Sequence, residues 1–412
     1  MAPSDLREPE PSRVRHDLDQ LSTLKDDEPG WTRRVFSEPD RAGREHIAAL
    51  MRSAGLETHI DAIGNVVGRW PGDGGAAGAV VTGSHTDTVL GGGRFDGVVG
   101  VIGAIEAVRV LRESGAVPRR DLIVVDFLGE EPNNFGISCV GSRALAGTLT
   151  PAHLALFDGH GRTMAEAVAR GGGDPAGALG LAWKSSDVHR YFELHIEQGP
   201  YLEQLSRPIG IVTGIVGIQR FRTRFTGRPD HAGTAAMSSR HDAGLAAAEL
   251  MLAVESQARD GAVATTGIVE LTPGATNVVP GGALLSSETR SIEPGWFPLF
   301  RDATEQQAAA IAARRRVSAD VEWLSLEPPT PMDAVAMGDI LTACGQLGYE
   351  PLEMASYAGH DAVQMSHLGP CAMIFVPSRD GRSHCPEEWT DLDDVVAGAR
   401  VLAQAIATAT AT

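Results

Sequence analysis

Two apolar runs, Ala79–Thr82 and Leu122–Leu128, bracket a stretch in which Val98, Val101, Ile102, Ile105, Val108 and Leu111 recur at helical spacing. A buried strand, a helix with one broad apolar face and a second buried strand form a crossover unit, which a parallel sheet requires. A third strand is expected at Tyr191–Glu197, where Phe192, Leu194 and Ile196 alternate with Glu193, His195 and Glu197, as in a strand with one polar face. The first half therefore reads as an α/β domain with a mixed, largely parallel sheet flanked by helices.

From about Gly210 the rhythm changes. Strands are expected at Gly217–Gly227, Val263–Leu271, Gly282–Ile292 and Val317–Leu326, with helices at Ala235–Ala258 and Trp296–Arg314. That order, βαββαβ, is ferredoxin-like, and the Pro-rich run Glu327–Pro331 marks its end. The remainder, with a helix, the strand Ala372–Val376 and the helix Leu392–Ala407, is short for a core of its own and completes the first domain. The expected division is 1–211 with 328–412, and an insert over 212–327. A length of 412 residues agrees with two cores rather than one.

Composition narrows the function. The net charge of −18, spread along the chain, disfavours nucleic acid and anionic membranes as partners. No apolar run reaches the ~18 residues of a membrane span, and Met1–Glu10 has no apolar centre of the secretory kind. The cysteines Cys139, Cys344, Cys371 and Cys385 contain no C-x-x-C pair, so reduced thiols and a cytoplasmic location are expected.

Five turns beside expected strands carry metal-binding side chains: His85 with Asp87, Asp96, Glu130 with Glu131, His195 and His384. Loops at strand ends are where α/β proteins place their sites. Each has a plainer reading as well: Asp87 capping a turn, Asp96 capping the helix that follows, Glu130–Glu131 as a solvated acidic loop, and each histidine as a satisfied structural residue. Taken together, imidazoles and carboxylates without thiolates suit Zn²⁺, Mn²⁺, Co²⁺ or Ni²⁺ and a catalytic site rather than a structural one. Gly97, Gly100 and Gly103 lie within the expected helix and lack the turn of a nucleotide-binding loop, so helix–sheet packing is their expected role.

Eight segments in order make the chain resemble the hydantoinase/carbamoylase family of amidases. This family includes N-carbamoyl-L-amino-acid hydrolases, β-ureidopropionases and allantoate amidohydrolases, within the clan of dinuclear aminoacylases and carboxypeptidases. The segments are G-S-H-T-D-T-V (83–89), G-R-F-D-G-V-V-G (93–100), G-E-E (129–131), L-H-I-E-Q-G-P (194–200), G-R-P-D-H-A-G-T (227–234), A-T-N-V-V-P (275–280), A-G-H-D-A (358–362) and S-H-C-P (383–386). The likeness runs from about Trp31 to Ala405.

The resemblance implies two divalent metal ions, one on His85, Asp96 and His195, the other on Asp96, Glu131 and His384. It implies Glu130 as general base, Asp87 as the carboxylate partner of His85, and His231 as a stabiliser of the oxyanion. Gln198, Asn277, Arg290 and Gly359 are implied to bind a small carboxylate-bearing substrate. The insert is implied to form a homodimer, with His231 reaching the partner's site. The implied reaction cuts a C–N bond of an N-carbamoyl amino acid or a related compound. Two other readings stand beside it: a hydrolase of N-acyl amino acids or a specialised amide, and a metal-dependent binding protein without turnover. The chain departs from the family at Pro132-Asn133-Asn134, where Gly, a small residue and Arg are usual, at Tyr357, and at Arg382. These departures bear on the substrate and leave the implied ligands untouched.

Overall fold

The computed structural model describes residues 6–411. Met1–Asp5, part of the N-terminal segment read for a secretory signal, and Thr412 lie outside them. The chain divides into two compact units, Met1–Thr213 with Met332–Thr412, and Gly214–Pro331. The cuts fall two and four residues beyond the expected 211 and 327, because the strand leaving the first sheet and the strand returning to it lie there.

The first unit is built on strands β1 (Glu57–Ile60), β2 (Val66–Trp70), β3 (Ala79–His85), β4 (Leu122–Phe127), β5 (Val188–Ile196) and β6 (Gly210–Ile215). The second carries β7 (Gly217–Thr226), β8 (Asp230–His231), β9 (Ala262–Thr272), β10 (Val278–Val279), β11 (Gly282–Ser291), β12 (Ser318–Glu327) and β13 (Thr330–Pro331). The chain then adds β14 (Leu352–Ser356) and β15 (Cys371–Val376).

The larger sheet has the order β1-β2-β4-β3-β5-β15-β6-β13, with β14 also on β6. Its four central strands β4, β3, β5 and β15 are parallel, and β2 and β6 flank them antiparallel. The fold is therefore the mixed α/β arrangement expected from the sequence. All seven residues of β3 are buried, because helices cover a parallel sheet on both faces. The helix Val98–Glu113 packs there with thirteen of its residues buried. Gly100 and Gly103 explain the closeness: a Cβ on the first would stand 2.3 Å from the carbonyl oxygen of Leu194, and one on the second 2.5 Å from its Cδ2. These glycines serve packing, as expected.

In β5 the expected polar face exists but does not meet water. Glu193 and His195 are 0% and 1% exposed. They turn inward because the polar groups of neighbouring strands and turns satisfy them.

The second unit has a four-stranded sheet of order β12-β7-β11-β9, antiparallel throughout. With helices Ala243–Glu255 and Trp296–Arg315 it is the ferredoxin-like arrangement. The first helix departs from the expected 235–258. Asp242 accepts the N–H of Leu245 and fixes the start eight residues later, so the cap and not alanine content sets the boundary. No described helix is long and apolar enough to cross a membrane. All four cysteines are free.

Candidate active site

The C-terminal ends of β3, β4 and β5 converge, and the side chains of the sequence motifs meet there. His85 ends β3, and its Nδ1 donates to the carbonyl of Asp87 at 3.0 Å. Nδ1 of His195, near the end of β5, donates to the carbonyl of Ile196 at 2.9 Å. A carbonyl only accepts, so both rings carry their proton on Nδ1 and leave Nε2 as the acceptor; that of His195 accepts the backbone N–H of Gly97 at 3.1 Å. The expected carboxylate of Asp87 is 3.6 Å from Nδ1 of His85, so the hydrogen bond goes to the backbone of that residue instead. The carboxylate has a different task. It accepts the backbone N–H groups of Glu130 and Glu131 and so fixes the turn that bears them.

Asp96 does not cap the helix. The cap position is Gly97, at φ +66° and with no side-chain bond, and the carboxylate is left for the site. Its Oδ1 lies 3.1 Å from Nε2 of His195 and 3.9 Å from Nε2 of His85. Its Oδ2 lies 3.2 Å from Nε2 of His384, which is 3.4 Å from Oε1 of Glu131. Three groups with metal-ligand spacing result among the described residues: His85–Asp96–His195 and Asp96–Glu131–His384, which share Asp96, and Glu193–His195–His360, which shares His195 with the first. Each Asp96 oxygen faces one group.

Buried charge explains why such a cluster suits cations. Burial pushes Glu130 well up, with the charge of Glu131 adding to it, and burial with Asp96 pushes Glu131 up to about 7. Burial opposes a charge on His85, but the Asp87 and Glu130 carboxylates outweigh it and raise its basicity. Hydrogen bonding to Asp96 carries His384 up to about 9. Packed carboxylates held in low dielectric are stabilised by positive charge. The two pinned imidazoles and the acidic residues thus fit divalent metal ions of the borderline type.

Several supporting residues escaped the sequence reading. Glu388 accepts the backbone N–H groups of Phe95 and Asp96 and the hydroxyl of Ser383, tying both ends of the second group together. Glu193 accepts from Ser84, Tyr191 and the N–H of Ala362 beneath the site. His360 stacks edge-on against His195 at 4.5 Å, and burial together with His195 keeps it well below its ordinary value and so neutral. The period-2 pattern of β5 was the available signal for Glu193, which must share a face with His195.

Of the implied substrate residues, Gln198 is at the site, donating to Oδ2 of Asp96 at 2.8 Å. Gly359 precedes His360 and has open space where a Cβ would stand. His231, Asn277 and Arg290 belong to the second unit. His231 accepts the N–H groups of Gly233 and Thr234 on Nδ1, so its Nε2 is a donor. Asn277 is its neighbour, its carbonyl accepting from Ala232. Arg290 pairs with Glu288 at 2.8 Å. Arg382 pairs with Glu387. Two cavities of about 360 Å³ each border the cluster: one at Glu131, lined also by Asn133 and Asn134, the other at His384, lined also by Gln198 and Tyr357.

A parallel-stranded α/β unit with this cluster of imidazoles and carboxylates fits a metal-dependent hydrolase. The chain belongs to peptidase family M20/M25/M40, whose model matches residues 55–408. It is 38% identical over 404 residues to a ureidoglycolate hydrolase of Oryza sativa subsp. japonica, covering 96% of this chain and 84% of the relative. It is 39% identical over 375 residues to an N-carbamoyl-L-amino acid amidohydrolase of Geobacillus stearothermophilus, covering 90% and 92%. The crystal structure of a hydantoinase/carbamoylase family amidase from Burkholderia multivorans superposes with a TM-score of 0.91 at 31% identity, over 98% and 99% of the two chains. Enzymes of this family are metal-dependent, and a binding protein without turnover is set aside.

Proposed function

We propose that the chain hydrolyses an N-carbamoyl (ureido) amino acid or a related ureido acid, releasing ammonia, CO₂ and the amine-bearing acid. One observation carries the reading: Glu130 lies with Oε2 3.6 Å from Nε2 of His85, yet belongs to neither ligand group. A carboxylate placed there, outside both groups and accepting, among the described residues, only the Cys139 thiol on Oε1, suits a general base.

His85, Asp96 and His195 would hold one divalent cation and Asp96, Glu131 and His384 a second, drawn from Zn²⁺, Mn²⁺, Co²⁺ or Ni²⁺, which together would acidify a water and polarise the carbonyl. Glu130 takes the proton of that water as its oxygen bonds to the ureido carbon. The same carboxyl returns the proton to the departing nitrogen as the C–N bond breaks, and the carbamate so formed loses CO₂. Asp87 keeps Glu130 in place through the backbone bond described above. Gln198 and Gly359 contribute to substrate binding from the first unit. From the resemblance, His231 donates to the oxyanion, and Arg290 with Asn277 holds the substrate carboxylate. Also from the resemblance, the protein is a homodimer formed through the second unit, with His231 acting in the partner's site. Light scattering that finds only monomer at working concentration would count against that trans role.

Protein stripped of metal and reloaded with Mn²⁺ or Zn²⁺ should release ammonia from N-carbamoyl-L-amino acids. Silence across aliphatic, aromatic and β-amino examples would overturn the substrate class. The departures at Asn133, Asn134 and Tyr357 favour a second reading, hydrolysis of an N-acyl amino acid or a specialised amide. Amine release without ammonia would select it.

A further inference from the structure

We propose that the cavity beside Glu131 reads an oxygen acceptor at the end of the substrate's side chain. The enzyme then selects ureido acids with an acidic or amide side chain over those with an apolar one. This rests on the ureido-acid reading and adds to it the chemistry of the variable group.

The cavity, about 360 Å³, lies wholly within the first unit and has Asp87 and Glu131 in its wall. It therefore opens directly off one of the two ligand groups, and its volume suits part of a small molecule. Phe36, Val89, Leu90 and Phe135 give it apolar sides. Two donors stand out against them. Nδ2 of Asn133 is buried with no hydrogen-bond partner. Its identity as the nitrogen is fixed, because Oδ1 accepts the N–H of Phe135 at 3.0 Å. Arg34 is only partly exposed and has no carboxylate partner among the described residues.

The other charged groups of the wall are committed: Glu131 belongs to one of the ligand groups. Arg162 is held by Asp158, which also accepts the N–H groups of His160 and Arg162, and Asp87 holds the N–H groups of Glu130 and Glu131. What remains, beside the His160 ring and the Asn134 amide, is the guanidinium of Arg34 and the buried amide N–H of Asn133, both donors. A bound oxygen acceptor would satisfy both, whereas a methyl group would leave the amide unpaired. A site of that kind discriminates against the apolar isostere more sharply than an apolar pocket discriminates against a polar one.

N-carbamoyl derivatives of L-aspartate, L-asparagine and L-leucine share a branched shape and differ in the atoms at the branch, and the glutamate and methionine derivatives extend the comparison by one methylene. The test measures kcat/KM from ammonia release on the Mn²⁺-loaded enzyme, and Kd by calorimetry on Glu130→Gln. The expected result is a preference of at least ~10-fold for the oxygen-bearing member of a pair. Asn133→Leu should bring that preference close to unity while the apolar substrate stays within about 2-fold of its original value. Arg34→Met should weaken the acidic substrates more than the asparagine derivative, and Arg34→Lys should recover part of the loss. Equal or better use of the leucine and methionine derivatives by the unmodified enzyme would overturn the proposal and leave the ureido-acid reading standing. Variants that slow all substrates alike would also overturn it, by showing a structural role only. Absence of ammonia from every derivative would overturn the reading itself and the proposal with it.

Discussion

A Cβ on Gly97 would stand 2.4 Å from Nε2 of His85. Gly97 also takes a φ of +66°, where L side chains are strained. The absence of a side chain is thus what lets the Nε2 lone pair face Asp96, and the same residue turns the chain into the helix Val98–Glu113. Gly97→Ala should lower stability by roughly 2 kcal/mol or more from strain and overlap. It should also tilt the His85 ring. Thermal unfolding together with metal content by mass spectrometry would check this. A variant with unchanged metal content would show that the ring adapts.

Asp96 presents one oxygen to each ligand group, so its loss should affect both. Asp96→Asn should retain the fold and lose metal from both groups together. Removing one histidine, as in His384→Ala, should weaken one group more than the other. Metal analysis after dialysis, with ammonia release as the second readout, distinguishes these outcomes.

Glu130→Gln keeps shape and removes the proton-accepting oxygen. Turnover should fall about 10²–10⁴-fold, while bound metal stays near the unmodified level because Glu130 belongs to neither group. Parallel loss of metal and activity would instead make Glu130 a ligand.

Metal removal should be visible without any substrate. The buried carboxylate of Glu131 is repelled by Asp96, and that of Glu130 by Glu131, and bound cations relieve that repulsion in the folded state alone. Chelation should therefore lower the melting temperature, and Mn²⁺ added back should raise it to saturation.

A pH effect is expected far from the site, at Asp394. Burial, aided by Asp391 and Asp393, pushes its carboxyl up to about 6 from an ordinary value of 3.8. The folded state then binds more protons than the unfolded chain between those values, so this group costs stability as pH rises through about 4 to 6. Partial exposure reduces the cost to about 1 kcal/mol. Asp394→Asn should raise the melting temperature by about 1–3 °C at pH 7.5 and leave it unchanged near pH 4. A gain that persists at pH 4 would point to helix-end effects instead.

The candidate ligands were legible because each sits at the end of a strongly apolar strand or in a turn beside one, where sequence spacing and fold rules agree. His85, Asp96, Glu131, His195 and His384 converge on that account. The residues that hold them were harder to read. Glu193 lies in an alternating strand whose pattern is equally that of a solvent-facing edge, and only the third layer of packing shows that both faces are covered. Glu388 acts through backbone N–H groups of Phe95 and Asp96, nearly three hundred positions away in sequence, and no local pattern encodes that meeting. The helix start at Ala243 was missed for a local reason: alanine is favourable anywhere in a helix and carries no boundary information, whereas Asp242 does.

The chain's exit and return are themselves a bonded pair, Ile215 with Thr330 and Gly214 with Pro331. Over a hundred residues are therefore looped out from a gap that a short turn could span. Such a seam permits wholesale exchange of the intervening module between relatives, or its excision, with the catalytic scaffold's connectivity preserved. A lineage could then resize or replace that module while His85, Asp96, Glu131, His195 and His384, all in the first unit, kept their places.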